Sequence, residues 1–270
     1  MKAKLSCLLF LVLFSATTVW GGIGIDQTIW SDRSSSSTII TTPVFSTTYP
    51  NELLLAFIST DARTGSMGVT SVSGAGLTWT LVRRTNAQLG TAEIWRAFAA
   101  APLSRVSVRA SLAQNVAASI TVVSFAGVDT SGTNGSGAIG AIASASASSG
   151  APSVTLVTTR ASSWVFGVGT DWDHPIPRTP GPDQTIVHQF MPTVGDTYWV
   201  QRQNSPTPLA GTSVTINDTA PTGDRYNLTA CEILPSLPFP APTYSGAGTG
   251  APAAGGSGTT LVLRRAASAP

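Results

Sequence analysis

Alternation of apolar and polar residues with a period of two dominates the chain beyond its first 22 residues. In ASSWVFGVGTDWDH, Ala161 to His174, the side chains of Trp164 and Phe166 fall on one face of an extended chain. Asp171 and Asp173 share the other face at the end of this predicted strand. No stretch keeps apolar residues at helical spacing over three turns. The pattern therefore predicts an all-β protein.

Turn residues divide the pattern into many short strands, for instance TYPNE at Thr48 to Glu52 and SGTNGSG at Ser131 to Gly137. The predicted strands are Ile23 to Ser31, Thr38 to Ser46, Glu52 to Thr60, Val69 to Val72, Leu77 to Arg84, Ala92 to Ala99, Arg105 to Ala110, Ala117 to Ala126, Ala138 to Ser146, Ser153 to Val157, Ser163 to Asp171, Thr185 to Phe190, Thr197 to Gln203, Ser213 to Asn217 and Asn227 to Leu234. Many short strands at regular spacing predict an antiparallel β-sandwich of the jelly-roll or Greek-key kind.

The two halves of this pattern resemble each other. TTYPNELLLAFIST at Thr47 to Thr60 corresponds to TTRASSWVFGVGTD at Thr158 to Asp171, an offset of 111 (158 minus 47). GTAEIW then aligns with GDTYW, which places Trp95 opposite Trp199, and SITVVSF aligns with NLTACEI. These matches predict an internal duplication with pseudo-repeats at about 38–128 and 151–235, joined at about 129–137.

Both ends of the chain differ in composition from the β region. Lys2 and Lys4 precede an apolar stretch, Leu5 to Phe14, which predicts a signal peptide at 1–22 and a secreted or cell-envelope location. That stretch is too short for a transmembrane span, and we expect no transmembrane span elsewhere in the chain. Residues 236–270, rich in proline, glycine and alanine, predict a linker or disordered tail. The sandwich domain is thus expected at 23–235.

Charge and cysteine content narrow the possible partners. Removing the two signal-peptide lysines from 15 basic residues leaves 13 arginines against 13 acids, so the remaining chain is formally neutral. Without a basic stripe, nucleic acid is not expected as a partner. Outside the signal peptide only Cys231 remains, so no internal disulfide is expected. Its alternating context predicts a small buried side chain, with an intermolecular disulfide or a reactive thiol as alternatives.

Three segments carry a resemblance to a known kind of module. They are GAGLTWTLVRRTNAQLGTAEIW at Gly74 to Trp95, GVGTDWD at Gly167 to Asp173 and VTINDTAPTGDRYNL at Val214 to Leu228. Together they resemble an exported bacterial β-sandwich module of unknown activity that occurs beside Ig-like and fibronectin-like domains in large extracellular proteins. The resemblance implies the fold and an extracellular location, and it carries no catalytic residue.

The acidic residues offer one kind of chemistry. Calcium prefers carboxylate and carbonyl oxygens, and a site would combine the strand-end acids with two acids of the loop NDTAPTGDRYN. The candidate ligands are Asp171, Asp173, Asp218 and Asp224. Two carboxylates about 6 to 7 Å apart along one strand face would also suit a glycosidase. The alternative is that these acids are turn formers, with Arg225 pairing to Asp218 or Asp224.

Aromatic residues offer a binding hypothesis, because sugar rings stack on exposed indole and phenol faces. Trp172, beside His174, is the first candidate. Tyr226, between Arg225 and Asn227, is the second. The tryptophans within alternating strands are expected in the core: Trp30, Trp79, Trp95, Trp164 and Trp199.

The absence of nucleophile, phosphate-loop and zinc motifs favours a non-catalytic role. The sequence therefore predicts a secreted binding or adhesion module, for glycans at the cell surface or for a cell-surface protein. A structural spacer in an extracellular assembly is one alternative, and a calcium-dependent polysaccharide hydrolase is another. Exposure of Trp172 would favour the binding module over the spacer.

Overall fold

Fourteen strands form the structure over the residues that the computed structural model describes, 22–62 and 68–237. The predicted signal peptide up to residue 21, and the predicted tail from residue 238 onward, lie outside the described residues. The strands are β1 (Gly24–Thr41), β2 (Glu52–Thr60), β3 (Val69–Gly74), β4 (Thr80–Thr85), β5 (Thr91–Ala99), β6 (Val108–Ala126), β7 (Ile139–Ala147), β8 (Ser153–Val157), β9 (Trp164–Asp171), β10 (Thr179–Pro180), β11 (Gln184–Phe190), β12 (Thr197–Gln203), β13 (Ser213–Ala220) and β14 (Tyr226–Ile233). One short 3-10 turn, Ser136–Ala138, precedes β7. The predicted all-β antiparallel fold is confirmed.

The first half forms a five-stranded inner sheet in the order β1-β6-β2-β5-β4. Its central strand, β2, is buried along its whole length because packed layers cover both of its faces. β1 and β6 are long, and their pairing shifts register between Arg33 and Ser37. Beyond this bulge the end of β1 and the start of β6 pair again, and β3 joins them. These three segments form the outer layer of the first half.

The second half has the same strand order, with the inner sheet β7-β14-β9-β12-β11 and the outer sheet β10-β13-β8. Here β7 and β8 correspond to the two parts of β1, and β13 and β14 to the two parts of β6. The long bent strands of the first half are therefore interrupted by loops in the second half. A shared strand order is what an internal duplication would produce, and the correspondence begins at β1 and β7, earlier than the predicted repeats.

The ladder registers align the two halves residue by residue. In each half, one residue of the central strand pairs with a neighbour on either side. With β2 and β9 aligned at the offset of 111 found in the sequence, which places Phe57 at Val168, the ladders make Thr121 equivalent to Thr229 and Ile94 equivalent to Val200. The predicted alignment of Trp95 with Trp199 is shifted by two residues, because Trp95 pairs with Ala56 whereas Trp199 pairs with Gly169. A shift of two keeps both indoles on the same face.

Three apolar cores separate four layers. The first core lies inside the first half and includes Leu54 and Trp95, and the third lies inside the second half and includes Trp199. The second core joins the two inner sheets through residues such as Phe57 and Phe166, whose rings stack 6.0 Å apart. Burial of apolar area on both faces of each inner sheet is the main source of stability.

Close packing explains the glycines of β9. A Cβ on Gly169 would lie 2.1 Å from the Trp199 ring, and one on Gly167 would lie 2.9 Å from Ile216. The two glycines therefore ease the packing of the third core, as their position within a strand predicts. Cys231 is fully buried in the second core, and burial raises the pKa of its thiol to about 12. The predicted small buried side chain is thus confirmed.

Three predictions about single elements are wrong. The predicted strands at Arg105 to Ala110 and Ala117 to Ala126 are largely one strand, β6, because it continues through the segment between them. The predicted strands at Ile23 to Ser31 and Thr38 to Ser46 are largely one strand, β1, because the ladder continues through the serine bulge. Trp30 was expected in the core, but 48% of its surface is exposed. The other four tryptophans expected in the core are buried, as predicted. Within the described ranges, no helix is long and apolar enough to cross a membrane.

Candidate functional site

The end of β9 brings Asp171 against a residue that the sequence analysis did not consider. Arg178 lies just before β10, and its backbone N–H donates to Gln189 Oε1 at 2.7 Å. Its guanidinium Nη2 donates to Asp171 Oδ2, and neither side chain is exposed to solvent. The guanidinium also stacks over Trp199, 4.6 Å from the ring centroid. The other oxygen, Asp171 Oδ1, accepts the Asp173 N–H at 2.7 Å and closes an Asx turn.

Two further predicted acids face the same arginine. Asp218 in β13 is 2% exposed, and burial raises the pKa of its carboxyl to about 7, although Arg178 acts in the opposite direction. Neither carboxylate oxygen of Asp218 has a hydrogen-bond partner in the described part of the chain. Burial lowers the pKa of Arg178 to about 10, opposed by the charges of Asp218 and Asp224. Three of the four predicted acids, Asp171, Asp218 and Asp224, therefore lie around one internal cation.

The outer part of this cluster is open to solvent. His174 Nδ1 lies 2.7 Å from Asp224 Oδ1, and the imidazole is 59% exposed. Asp173 pairs with Arg225, whose Nε and backbone N–H donate to its two oxygens at 2.9 and 2.8 Å. Arg225 thus pairs with Asp173, and the predicted pairing with Asp218 or Asp224 is wrong.

The predicted aromatic platforms do not share one exposed surface. Tyr226 is 7% exposed and packs in the third core, so its ring is not available for stacking on a ligand. Asn227 is fully buried, and its Nδ2 donates to the carbonyls of residues 88–90 while its Oδ1 accepts the Gln88 N–H. Asn227 therefore fixes the loop between β4 and β5. Trp172 is half-buried, intermediate between a core side chain and a platform.

The arrangement of this cluster favours a structural role. Arg178 and Arg225 occupy the positions where a cation would meet Asp171 and Asp173. Over residues 22–62 and 68–237, no three His, Cys, Asp or Glu side chains are placed together as metal ligands. The cluster orients the loop between β9 and β10. Because burial raises its pKa to about 7, the Asp218 carboxyl is protonated below that pH.

A second site, which the sequence analysis missed, lies on β1. The Trp30 indole stacks on the imidazole of His188 in β11, with ring centroids 5.0 Å apart and planes 22° apart. His188 Nε2 lies 2.9 and 3.0 Å from the two oxygens of Asp32. Asp32 Oδ1 also accepts the Ser119 hydroxyl at 2.8 Å. One face of the Trp30 ring is thereby fixed against the protein, while nearly half of the residue stays exposed.

A groove runs along β1 beside this tryptophan, and we call it the β1 groove. Its first depression, of about 330 Å³, is lined by Thr28, Ile29, Trp30 and Pro43. The second, of about 400 Å³, is lined by residues 31–33, 37 and 39–41 on both sides of the serine bulge. These volumes fall in the lower part of the range of ligand sites, roughly 300 to 1,000 Å³. The residues that line the two depressions follow one another along β1, and Trp30 lines the first of them.

The second half of the chain shows what the fold needs at the position of Trp30. Trp30 pairs with Thr121. Ser144 pairs with Thr229, the equivalent of Thr121, so Ser144 occupies the place of Trp30. A small polar residue is thus sufficient at the equivalent position of the other inner sheet.

The partner of Trp30 has an equivalent as well. His188 pairs with Val200, and Arg83 pairs with Ile94, the equivalent of Val200. Arg83 donates to the Ser144 hydroxyl at 2.7 Å, so the equivalent edge is closed by a polar contact. The aromatic stack and the β1 groove therefore distinguish one edge of the molecule from the other.

A signal for Trp30 exists in the sequence. Thr28, Trp30 and Asp32 share one face of an extended chain, and a tryptophan between two polar residues is typical of an exposed position. The stack with His188 has no such signal, because 158 residues (188 minus 30) separate the two rings.

The comparisons with known proteins assign no relative. No protein-family model matches the chain, and no significant match exists among curated proteins or solved structures.

Proposed function

We propose that this chain is an exported, non-catalytic binding module that recognises glycans through the β1 groove, with Trp30 as the stacking platform. The observation that carries the proposal is the half-exposed Trp30 ring, held by His188 at a position where the other half has Ser144. An exposed indole that the fold does not require favours a role in contact with a partner.

The chemistry of the groove suits a sugar. A sugar ring presents an apolar face, which the indole can cover, and hydroxyl groups at its rim. Asp32, with 23% of its side chain exposed, can accept hydrogen bonds from such hydroxyls. Because the stack with His188 fixes the Trp30 ring before binding, little side-chain entropy is lost when a ligand binds.

The test is a glycan array with the wild type and Trp30→Ser, the residue found at the equivalent position. We expect Trp30→Ser to bind the wild-type ligands at least tenfold more weakly, a loss of about 1.4 kcal/mol. Its free energy of unfolding should change by less than about 1 kcal/mol, because half of the side chain is already in solvent.

Tyr49→Ser is the matched control, since Tyr49 is an exposed aromatic residue that does not line the groove. We expect this variant, and Trp172→Ala, to bind as the wild type does. Unchanged glycan binding by Trp30→Ser, or an equal loss in Tyr49→Ser, would contradict the proposed site.

A further inference from the structure

The second depression of the β1 groove contains an arginine that has no partner among the described residues. Arg33 lines this depression and is exposed, and no hydrogen bond or ion pair of its guanidinium is found within residues 22–62 and 68–237. Several other arginines of the described chain are engaged, for example Arg84 with Glu93 and Arg160 with Asp129. A free guanidinium in a concave surface presents a fork of N–H donors that matches a carboxylate.

We propose that the β1 groove selects acidic polysaccharides, with Arg33 binding the carboxylate of a uronic acid unit; this inference rests on the proposed glycan-binding function. β1 is an edge strand of its sheet, so side chains from both of its faces border the groove. Trp30, on one face, covers the apolar side of a sugar ring, and Arg33, three residues further along the strand, lies on the other face. At about 3.3 Å per residue, the two groups are roughly 10 Å apart along the strand. The site therefore takes an extended chain of sugars.

The nearby acid does not cancel this preference. Asp32 is the other charged residue that lines the second depression. Its carboxylate is engaged by His188 and by the Ser119 hydroxyl, and its side chain alternates with that of Arg33 along the strand. Asp32 is thus oriented toward β11, where it can accept a sugar hydroxyl, while Arg33 provides the positive charge of the depression.

Local charge carries this selectivity, because the chain without its predicted signal peptide is formally neutral, with 13 arginines and 13 acids. Long-range attraction to a polyanion is therefore weak, and the preference depends on one charge-assisted contact. Such a contact contributes enough to change affinity by about tenfold or more.

The experiment compares the binding of polygalacturonate and its fully methyl-esterified form, which keeps the sugar rings and removes the charge, to the full chain by affinity electrophoresis or calorimetry. We expect wild type to bind the acidic polymer at least about tenfold more tightly, and added salt to reduce this difference. Arg33→Gln should lose the preference and keep its affinity for the ester. Arg105→Gln, which changes an exposed arginine outside the groove, should retain the preference.

The outcomes separate this inference from the proposed function. Equal affinity of wild type for the two polymers, or an unchanged preference in Arg33→Gln, would overturn the role of Arg33 while glycan binding through Trp30 stands. Equally tight binding of poly-L-glutamate would overturn the inference as well, because charge without sugar rings would then suffice. Loss of preference in Arg33→Gln together with loss of all binding in Trp30→Ser supports both proposals.

Discussion

Arg178 and Arg225 each form an ion pair with an aspartate, and the contribution of such a pair to stability depends on its burial. Arg178 meets Asp171 with both side chains fully buried. Arg225 meets Asp173 with 35% and 24% of the two side chains exposed. Removing one partner of a buried pair leaves an uncompensated charge, whereas solvent replaces the partner of an exposed charge.

We therefore predict that Arg178→Met lowers the free energy of unfolding by about 3 to 5 kcal/mol, since it leaves Asp171 buried without a cation. Arg225→Met, the matched control, should cost less than about 1 kcal/mol. Urea unfolding followed by tryptophan fluorescence measures both. Equal losses in the two variants would mean that Arg178 is solvated. Replacing Asp171 by Leu in the Arg178→Met background should restore part of the stability, because the buried charge that lost its direct partner is then removed as well.

These residues also show what the sequence could predict about the sites. Strand alternation located Asp171 and Asp173 correctly at the end of β9. It could not identify Arg178, which lies in the irregular segment HPIPRTP and reaches the cluster only through tertiary structure. The exposed Trp30 was predictable from its polar neighbours, whereas the His188 stack depends on the packing of two sheets.

At the scale of elements, β2 and β9 have the same environment in their respective halves. Each is the central strand of a five-stranded sheet, and each is buried along its entire length. The predicted strands at Glu52 to Thr60 and Ser163 to Asp171 match β2 and β9 closely, and their apolar residues suit this burial. The continuous β1 and β6 were not predicted, because polar stretches such as SSSS resemble loops although the ladder passes through them as a bulge. Local pattern therefore identifies strands better than it identifies their connections.

This arrangement predicts the order of amide hydrogen exchange. Amides of β2 and β9 should exchange most slowly, because both neighbours are paired and both faces are covered by apolar cores. Amides of the edge strands β4 and β11 should exchange faster, since each has a paired neighbour on one side only. Mass spectrometry of peptides after timed exchange measures this order. If β9 exchanged as fast as β11, the two halves could not share one cooperative core.

At the scale of the whole molecule, burial raises the pKa of three carboxyls in the described ranges, those of Glu52, Asp196 and Asp218. Burial raises the pKa of Glu52 to about 7, opposed by the Thr47 hydroxyl and reinforced by the neighbouring Asp26. Burial also raises the pKa of Asp196 to about 7, although the Tyr198 hydroxyl donates to it at 2.9 Å. Asp218 has a pKa of about 7 for the same reason. The folded chain therefore binds protons that the unfolded chain releases.

The sign of the resulting pH dependence is opposite to ordinary acid denaturation. A carboxyl whose pKa is raised on folding stabilises the fold when it is protonated. This stabilisation is fully present below the pKa of the unfolded state, which is 4.5 for Glu52 and 3.8 for the two aspartates. It is lost as the pH rises through the folded-state pKa of about 7. Each such proton changes the free energy of unfolding by about 1.4 kcal/mol per pH unit within this window.

We predict that chemical unfolding at pH 5 requires more urea than at pH 8. Glu52→Gln, which keeps the shape of the protonated acid, should reduce this dependence and stabilise the protein at pH 8. A wild type whose midpoint falls on acidification from pH 8 to pH 5 would show that these carboxyls stay ionised in the fold.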